Sequence, residues 1–363
     1  MTGVNLDFLG KNASQGDVAS YIAGKGLNVN AMRPFIGNDG RPYISVFKGG
    51  DPKKVENYVN VQVNSATLRR DEWKQLDEAI IPIAQQRLTG IQDLISRDLV
   101  YNLGNAFGTT VLETHAISDA MDAIVTMDGV TRGKGDRGTY EHKYLPIPII
   151  HSDYEINMRV LEASRKLGNP LDTDNAERAV RKVTEKLEGL LFTDVDYSFG
   201  GGTIYSYLNF PTRNLAVIRN WATATGAQIV EDVLAMKQES IDNLHYGPWV
   251  VYIPTGYETV LDADYDATTP GTTIRERILK IAGIEAVKVV DMLPAQNVLL
   301  VQMTSSVIRL VRGMGIQNVQ WQTEGGMVNM YKVMTIQVPQ IRADYNGKTG
   351  IVHASVADES SSS

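Results

Sequence analysis

A mixed α+β fold is what this sequence predicts, and three observations carry the prediction. Ala176, Ala179, Val180, Val183, Leu187, Leu190 and Leu191 recur at steps of three and four, marking a long amphipathic helix from about Asp174 to Phe192. Trp249–Ile253 is a short apolar run rich in β-branched and aromatic residues, the pattern of a buried strand. Tyr140–Ile150 is a β-type run carrying Pro146 and Pro148, set behind the polar, glycine-rich stretch Gly129–Gly138, which together suggest a long hairpin.

The elements follow in chain order. Residues 1–68 are rich in Gly, Asn and Pro, with turn signals at Gly37–Gly40, Arg41–Pro42 and Gly49–Pro52. Their apolar side chains are too scattered for an independent core, so an extended arm that orders on partner surfaces is expected. Asp71–Arg97 predicts a helix through Trp73, Leu76, Ile80, Ala84, Leu88, Ile91 and Leu94 or Ile95, with Pro82 as a kink or break. Asp122–Met127 is the expected hairpin partner of Tyr140–Ile150, with Gly129–Gly138 as the polar tip. Such a ribbon has little core of its own and must lie on something else. Ser152 and Glu155 have capping-box spacing for a short helix ending near Leu167, and Asp174 with Glu177 suits the start of the long one.

After Gly200–Gly202, which suggests a hinge between domains, helices and strands alternate. Helices are expected at Ile229–Leu244 and Thr273–Ala282. Strands are expected at Trp249–Ile253, Val287–Val290, Val298–Met303, Val307–Val311 and Met330–Arg342. Asn346–Gly347 has the chemistry of a hairpin turn between two strands, and Asp358–Ser363 is a polar tail.

Composition narrows function. The 363 residues are 43% hydrophobic and 21% charged, an ordinary globular balance with room for about two domains. There is no cysteine, which removes disulfides, thiolate metal sites and cysteine nucleophiles together. The net charge of −7 offers no basic excess for gripping nucleic acid. The first residues lack the basic start and apolar core of a secretory leader. No apolar run approaches the ~20 residues of a membrane span. A soluble product of the cytoplasm is therefore expected, without membrane association.

Catalytic motifs are missing. The histidines (His115, His142, His151, His245, His353) show no metal-binding helical spacing and predict no metal ligands. Gly347–Thr349 lacks the glycine a phosphate loop needs, because Arg342 stands in its place. Asp262, Asp264 and Asp266 alternate without the glycine and closing glutamate of a calcium loop, so a solvated acidic turn is expected. The reading is no catalytic residue, no cofactor and no enzyme.

Several segments, weak singly, are specific in their order. They are Gly24–Tyr43, Thr67–Asp77, Met127–Gly129, Leu145–Pro148, Ser164–Arg165, Leu171–Asp172, Tyr246–Pro248, Thr273–Arg277, Val301–Met303 and Val319–Trp321. From about Gly24 to Val352 the chain resembles the encapsulin-like major capsid proteins of tailed bacteriophages. The resemblance implies the Hong Kong 97 capsid fold, an α+β fold with these parts: N-terminal arm 1–68, first helix and connector 69–108, extended hairpin loop 109–150, peripheral domain with spine helix 151–209, axial domain 210–326, and return strands of the peripheral domain with the C-terminal tail 327–363.

It further implies a subunit that self-assembles, as hexamers and pentamers, into the icosahedral or prolate shell around the double-stranded DNA of a tailed phage. That places the protein in the virion capsid, assembled in the bacterial host cytoplasm. Portal, scaffold and decoration proteins are the further partners implied, and DNA would be held by confinement without sequence-specific binding. The alternative is an encapsulin nanocompartment shell around a cargo enzyme. Cargo-carrying encapsulins begin close to the first helix and use that region to hold cargo peptides, whereas this chain places an arm ahead of Asp71, as phage subunits do. Inter-subunit contacts are expected from Arg132, Lys134, Arg137, Tyr144 and Ile147 on the hairpin, and from Arg33, Phe35 and Tyr43 on the arm. Some relatives crosslink a loop lysine to a neighbour's asparagine. Lys134, Lys143 and Asn346 are the residues to compare, but no dry pocket to perturb a lysine is legible and no crosslink is expected.

Overall fold

The computed structural model describes residues 33–47, 54, 57–62, 68–69, 71–78, 89–104, 107–117, 127, 140–167, 173–266 and 271–356. In chain order these form β1 (Phe35–Ile36), β2 (Pro42–Phe47), β3 (Tyr58–Gln62), a helical stretch α1 (71–78), α2 (Thr89–Ser96), β4 (Val100–Asn102), β5 (Val111–Ile117), β6 (Tyr140–Pro146), β7 (Ile150–Asn157), α3 (Met158–Leu167) and α4 (Asp174–Phe192). There follow β8 (Tyr197–Phe199), β9 (Gly202–Ile204), β10 (Asn214–Ile218), α5 (Gly226–Asp242), β11 (Trp249–Pro254), α6 (Glu258–Leu261), α7 (Ile274–Leu279), β12 (Ile284–Val290), β13 (Asn297–Gln302), β14 (Ile308–Thr323), β15 (Val328–Ile341) and β16 (Ile351–Val356).

The helix α4 has the bounds its apolar stripe predicts, and every residue of that stripe is buried. Thr173, one residue earlier than expected, takes the N-cap position, and its hydroxyl donates to the Glu177 carboxylate at 3.2 Å. The helix lies across a four-stranded sheet ordered β4-β14-β15-β7. There Ala179, Val180 and Val183 meet Val333. Farther along, Leu187, Leu190, Leu191 and Phe192 enter the main core, which also takes Ile91 and Leu94 of α2, Val250 and Tyr252 of β11, Leu299 and Val301 of β13, and Leu310, Met334 and Ile336 of the long sheet.

A second sheet has five strands ordered β10-β16-β13-β11-β12. Its far face packs on α5 and α7 through Ile229, Val233, Met236, Ile274 and Ile278. Strand β11 is buried at all six positions because both of its faces are covered, which explains why its sequence is apolar without alternation. Helix α5 opens with a full capping box, Thr225 accepting from the Gln228 amide while the Gln228 side chain accepts from the Thr225 amide.

Several expectations change. Val307–Val311 is only the start of β14, which runs on to Thr323 in the four-stranded sheet, outside the expected axial domain. The last strand, β16, does not return to the peripheral sheet; it lies between β10 and β13 in the five-stranded one. The turn at Asn346–Gly347 therefore joins two sheets. Gly347 has φ +74°, and the Asp344 carboxylate accepts from the amides of Asn346 (2.9 Å) and Lys348 (2.8 Å).

Ser152 and Glu155 do not cap a helix. They alternate along β7, paired to residues 328–335 of β15, and the helix starts at Met158. Burial of Ile156 and partial burial of Tyr154 at period two outweigh the local capping signal. Gly200 and Gly201, with φ +59° and +80°, form the tight turn of the β8–β9 hairpin, not a hinge.

The arm is also more structured than expected. The strands β1-β2-β3 form an antiparallel sheet whose Phe35 packs with Leu68, Trp73, Leu76, Ile156, Leu161, Ala176 and Tyr331. The expected helix Asp71–Arg97 is seen as α1 and α2, and Pro82 lies outside the described residues.

At the joint between the two sheets sits a buried acid. Glu188 of α4 accepts from the amides of Gly90 (2.7 Å) and Ile91 (3.3 Å) at the start of α2. Next to it, Asp93 accepts from the Tyr252 hydroxyl at 3.0 Å. Burial pushes the Glu188 carboxyl from its ordinary 4.5 up to about 7, against the pull of the two amides. His353, in the five-stranded sheet, moves the other way: burial and then the Arg213 charge push it from 6.5 down to about 4.

Two outcomes follow from this packing. Leu187 is fully buried, so Leu187→Ala is expected to cost about 2–5 kcal/mol in chemical denaturation of the protein; an unchanged midpoint would contradict the packing of α4. Folded chains keep the Glu188 proton up to about pH 7 while unfolded chains release it near 4.5. The stability this group contributes is thus complete below the lower value and falls as pH rises toward the upper one, by at most on the order of 3 kcal/mol. Glu188→Gln should flatten that slope relative to wild type, read as the difference in denaturation midpoint between about pH 5 and about pH 8. Parallel pH profiles would mean the carboxylate is solvated.

Candidate assembly surfaces

A ribbon made of β5 and β6 leaves the body of the protein. It is antiparallel, with Val111 opposite Pro146, His115 opposite His142 and Ile117 opposite Tyr140. This corrects the expected pairing: the partner of Tyr140–Pro146 is Val111–Ile117, while residues 122–126 lie outside the described residues. Residues 140–144 of β6 are exposed on both faces, whereas Leu145, Pro146 and Ile147 are buried. The ribbon is thus rooted in the core and bare along its stem, and two bare strands cannot supply a core of their own.

The root is clamped by the β8–β9 hairpin. Gly202 lies so close to the Tyr144 carbonyl that a Cβ there would overlap it and would also press on Pro146. Beside the clamp, a groove of about 690 Å³ runs between stem and body, lined among others by Tyr144, Tyr205, Phe210, Pro339 and Tyr345.

The structure distributes the expected contact residues unevenly. Arg132, Lys134 and Arg137 lie outside the described residues. Tyr144 is 43% exposed and available to a neighbour. Ile147 is 6% exposed inside the main core, its amide donating to the Thr110 carbonyl at 2.9 Å. Phe35 is likewise buried in its own subunit, beneath the arm sheet. Arg33 pairs with Asp77 at 2.7 Å and sits 4.4 Å over the Trp73 ring, and Trp73 donates to the Pro34 carbonyl at 2.9 Å. Tyr43 donates to Asp39 at 2.6 Å. Thus Ile147, Phe35 and Arg33 make contacts within the chain, where assembly contacts were expected. Their place on the arm and on the hairpin, which singled them out, does not say which chain supplies the partner. Lys143 pairs with Glu141 at 2.6 Å on the exposed stem, where both line the groove.

Other surfaces were missed from sequence. Leu215 and Val217, 65% and 74% exposed, point out from β10, an edge strand of the five-stranded sheet. An edge strand with bare apolar side chains is the kind of surface proteins normally cover. Phe199 and Tyr197 of β8, and Val160 with Met327 at the end of the long sheet, are exposed as well. The apolar run Asn214–Ile218 was the available signal, but an edge strand and a central one look alike in it. Also missed were Glu113, His115 and His142. They share one face of the ribbon because they sit two apart on β5 and directly across on β6.

Comparison with known proteins gives consistent results. The model of the family of unknown function DUF6260 matches residues 62–354. The type 1 encapsulin shell protein EncA of Myxococcus xanthus (strain DK1622) is 26% identical over 206 residues, which are 55% of this chain and 66% of that protein, just under two thirds of its length. Among solved structures, the virus-like particle from Pyrococcus furiosus superposes with a TM-score of 0.58 at 17% identity, covering 78% of this chain and 98% of that one. The capsid of Myoviridae phage XM1 gives 0.55 at 9% identity, covering 74% and 92%. The capsid of the native GTA particle gives 0.51 at 11%, covering 85% and 96%. These likenesses show a shared fold.

The clamp provides a test of how the ribbon is held. Gly202→Val should displace the ribbon root, costing about 1–3 kcal/mol and speeding tryptic cleavage at Lys143 several-fold. Unchanged cleavage and stability would show that the ribbon is held elsewhere.

Proposed function

The chain belongs to the DUF6260 family and has the α+β Hong Kong 97 capsid fold, and we propose that it is the major capsid subunit of a tailed double-stranded-DNA phage. In this reading it assembles as hexamers and pentamers into an icosahedral or prolate shell in the host cytoplasm and becomes part of the virion. The observation that carries it is the ribbon β5–β6, rooted in the core but exposed along its stem. An element with no core of its own, on a fold shared with shell proteins, gains its packing from neighbouring copies. The apolar edge at Leu215 and Val217 offers a second surface for the same use. Its work is structural and not catalytic. The chain's net charge of −7 suits confinement of DNA better than binding to it. Among the described residues no helix is long and apolar enough to cross a membrane.

A second reading, an encapsulin-type shell around a cargo enzyme, is favoured by the likeness to the Myxococcus xanthus encapsulin. The arm weighs against it. The sheet β1–β3 places Phe35 against Trp73 and Leu76 of α1 and so occupies a face of the first helix, the region by which encapsulins hold cargo peptides.

Electron micrographs of particles purified from an expressing cell, with their nucleic-acid and protein content, separate the readings. Shells that fill with DNA in the presence of packaging genes support the phage subunit. Shells holding one co-purified enzyme support the compartment, and a monodisperse soluble protein under all conditions rejects both. Deleting Gly129–Gly138, the polar stretch between the ribbon strands, should leave a folded subunit that assembles poorly. Normal particles from that deletion would count against the ribbon as an inter-subunit element.

A further inference from the structure

We propose that Glu113, His115 and His142 form a binding site for a divalent transition-metal ion, with zinc the best match. One ligand atom from each lies within 4.8 Å of those of the other two. Their placement follows from register. Glu113 and His115 are two apart on β5 and project to one face, and His142 faces His115 directly from β6. The His142 Nδ1 already bonds the Glu113 carboxylate, and the two imidazole rings stand edge to face with centroids 4.7 Å apart. The Tyr144 ring lies nearly parallel to that of His142, with centroids 6.5 Å apart. A carboxylate–imidazole pair is complete without a third member. The second imidazole beside it is what turns a surface ion pair into a three-donor set.

The donor chemistry selects the ion. Two imidazoles and one carboxylate suit zinc and its neighbours, whereas calcium and magnesium prefer oxygen alone. Tetrahedral zinc with bonds of ~2.0–2.2 Å needs donor atoms ~3.3 Å apart. Side-chain rotations on a strand pair of fixed register can close the present separations to that value. Three protein donors leave one position open to water or to a donor from another chain, and the exposed stem leaves room for either. The site uses residues of one chain and is independent of the shell reading above.

The test is calorimetric titration of the full chain with zinc chloride, supported by the visible absorption of bound cobalt. The wild type should bind one ion per chain, more weakly as the solution is acidified because protons compete for the imidazoles. His115→Ala and His142→Ala should each weaken binding by at least about tenfold, and Glu113→Gln should do so without removing an imidazole. His151→Ala, at another exposed histidine, should leave binding unchanged. All four positions are exposed, and denaturation midpoints without metal are expected to match wild type. Should an alanine variant misfold, Glu113→Gln and His142→Gln supply the same reading. A wild type that binds no zinc overturns the proposal. Binding that survives the His115 and His142 substitutions does so too, because the ion would then be adventitious.

Discussion

The apolar stripe of α4 is the constraint on which the rest of this subunit depends. One helix touches three separate cores along its length. Ala176 belongs to the cluster beneath the arm sheet. Ala179, Val180 and Val183 press on the long sheet at Val333. Leu187 through Phe192 close the core shared by the four-stranded and five-stranded sheets. A rigid helix fixes the spacing of everything attached to it at 1.5 Å per residue. The arm sheet, the four-stranded sheet and the five-stranded sheet therefore hold their positions relative to a single rod. The surface they present is correspondingly preset.

The joint at the end of that rod is polar where packing alone would suffice. Glu188 caps the start of α2 from within the core, and Asp93 ties α2 to Tyr252 of β11 and, at 3.5 Å, to Lys288 of β12. Burying a carboxyl is costly unless it is hydrogen-bonded or protonated, and here it is both bonded and pushed toward its neutral form. Such a joint specifies one relative placement of the two sheets, because any slip leaves buried polar atoms without partners. It also makes stability sensitive to pH between about 4.5 and 7, with His353 opposing the trend over much of the same range.

The ribbon obeys the opposite logic. Its root is fixed by Leu145, Ile147 and the tight approach of Gly202, while its stem is left bare. Rigid anchoring with an uncovered surface suits an element whose partner is another copy of the chain. It also explains why ligating side chains can gather on it without a core: a strand pair of fixed register brings Glu113, His115 and His142 to one face whatever surrounds them.

Sequence by itself determined the α+β class, the bounds of α4, the buried strand β11, the helices α5 and α7 and the existence of an extended ribbon. Each rests on a periodicity or cap that the chain satisfies locally, and the Asp174–Phe192 stripe shows how far one clear period of 3.6 reaches. Only the tertiary structure decided which sheet each strand joins, so that β14 and β16 exchanged the places expected of them. Ile351, Val352 and Ala354 are equally apolar in either sheet, and no local pattern names the neighbour. Tertiary burial likewise overrode the capping signal at Ser152, where pairing with β15 outweighs one turn of helix. The expected contacts at Phe35 and Ile147 turned inward, and the cluster across β5 and β6 stayed hidden, for the same physical reason. Burial and proximity are properties of pairs of distant residues, and a one-dimensional pattern records only one member of each pair.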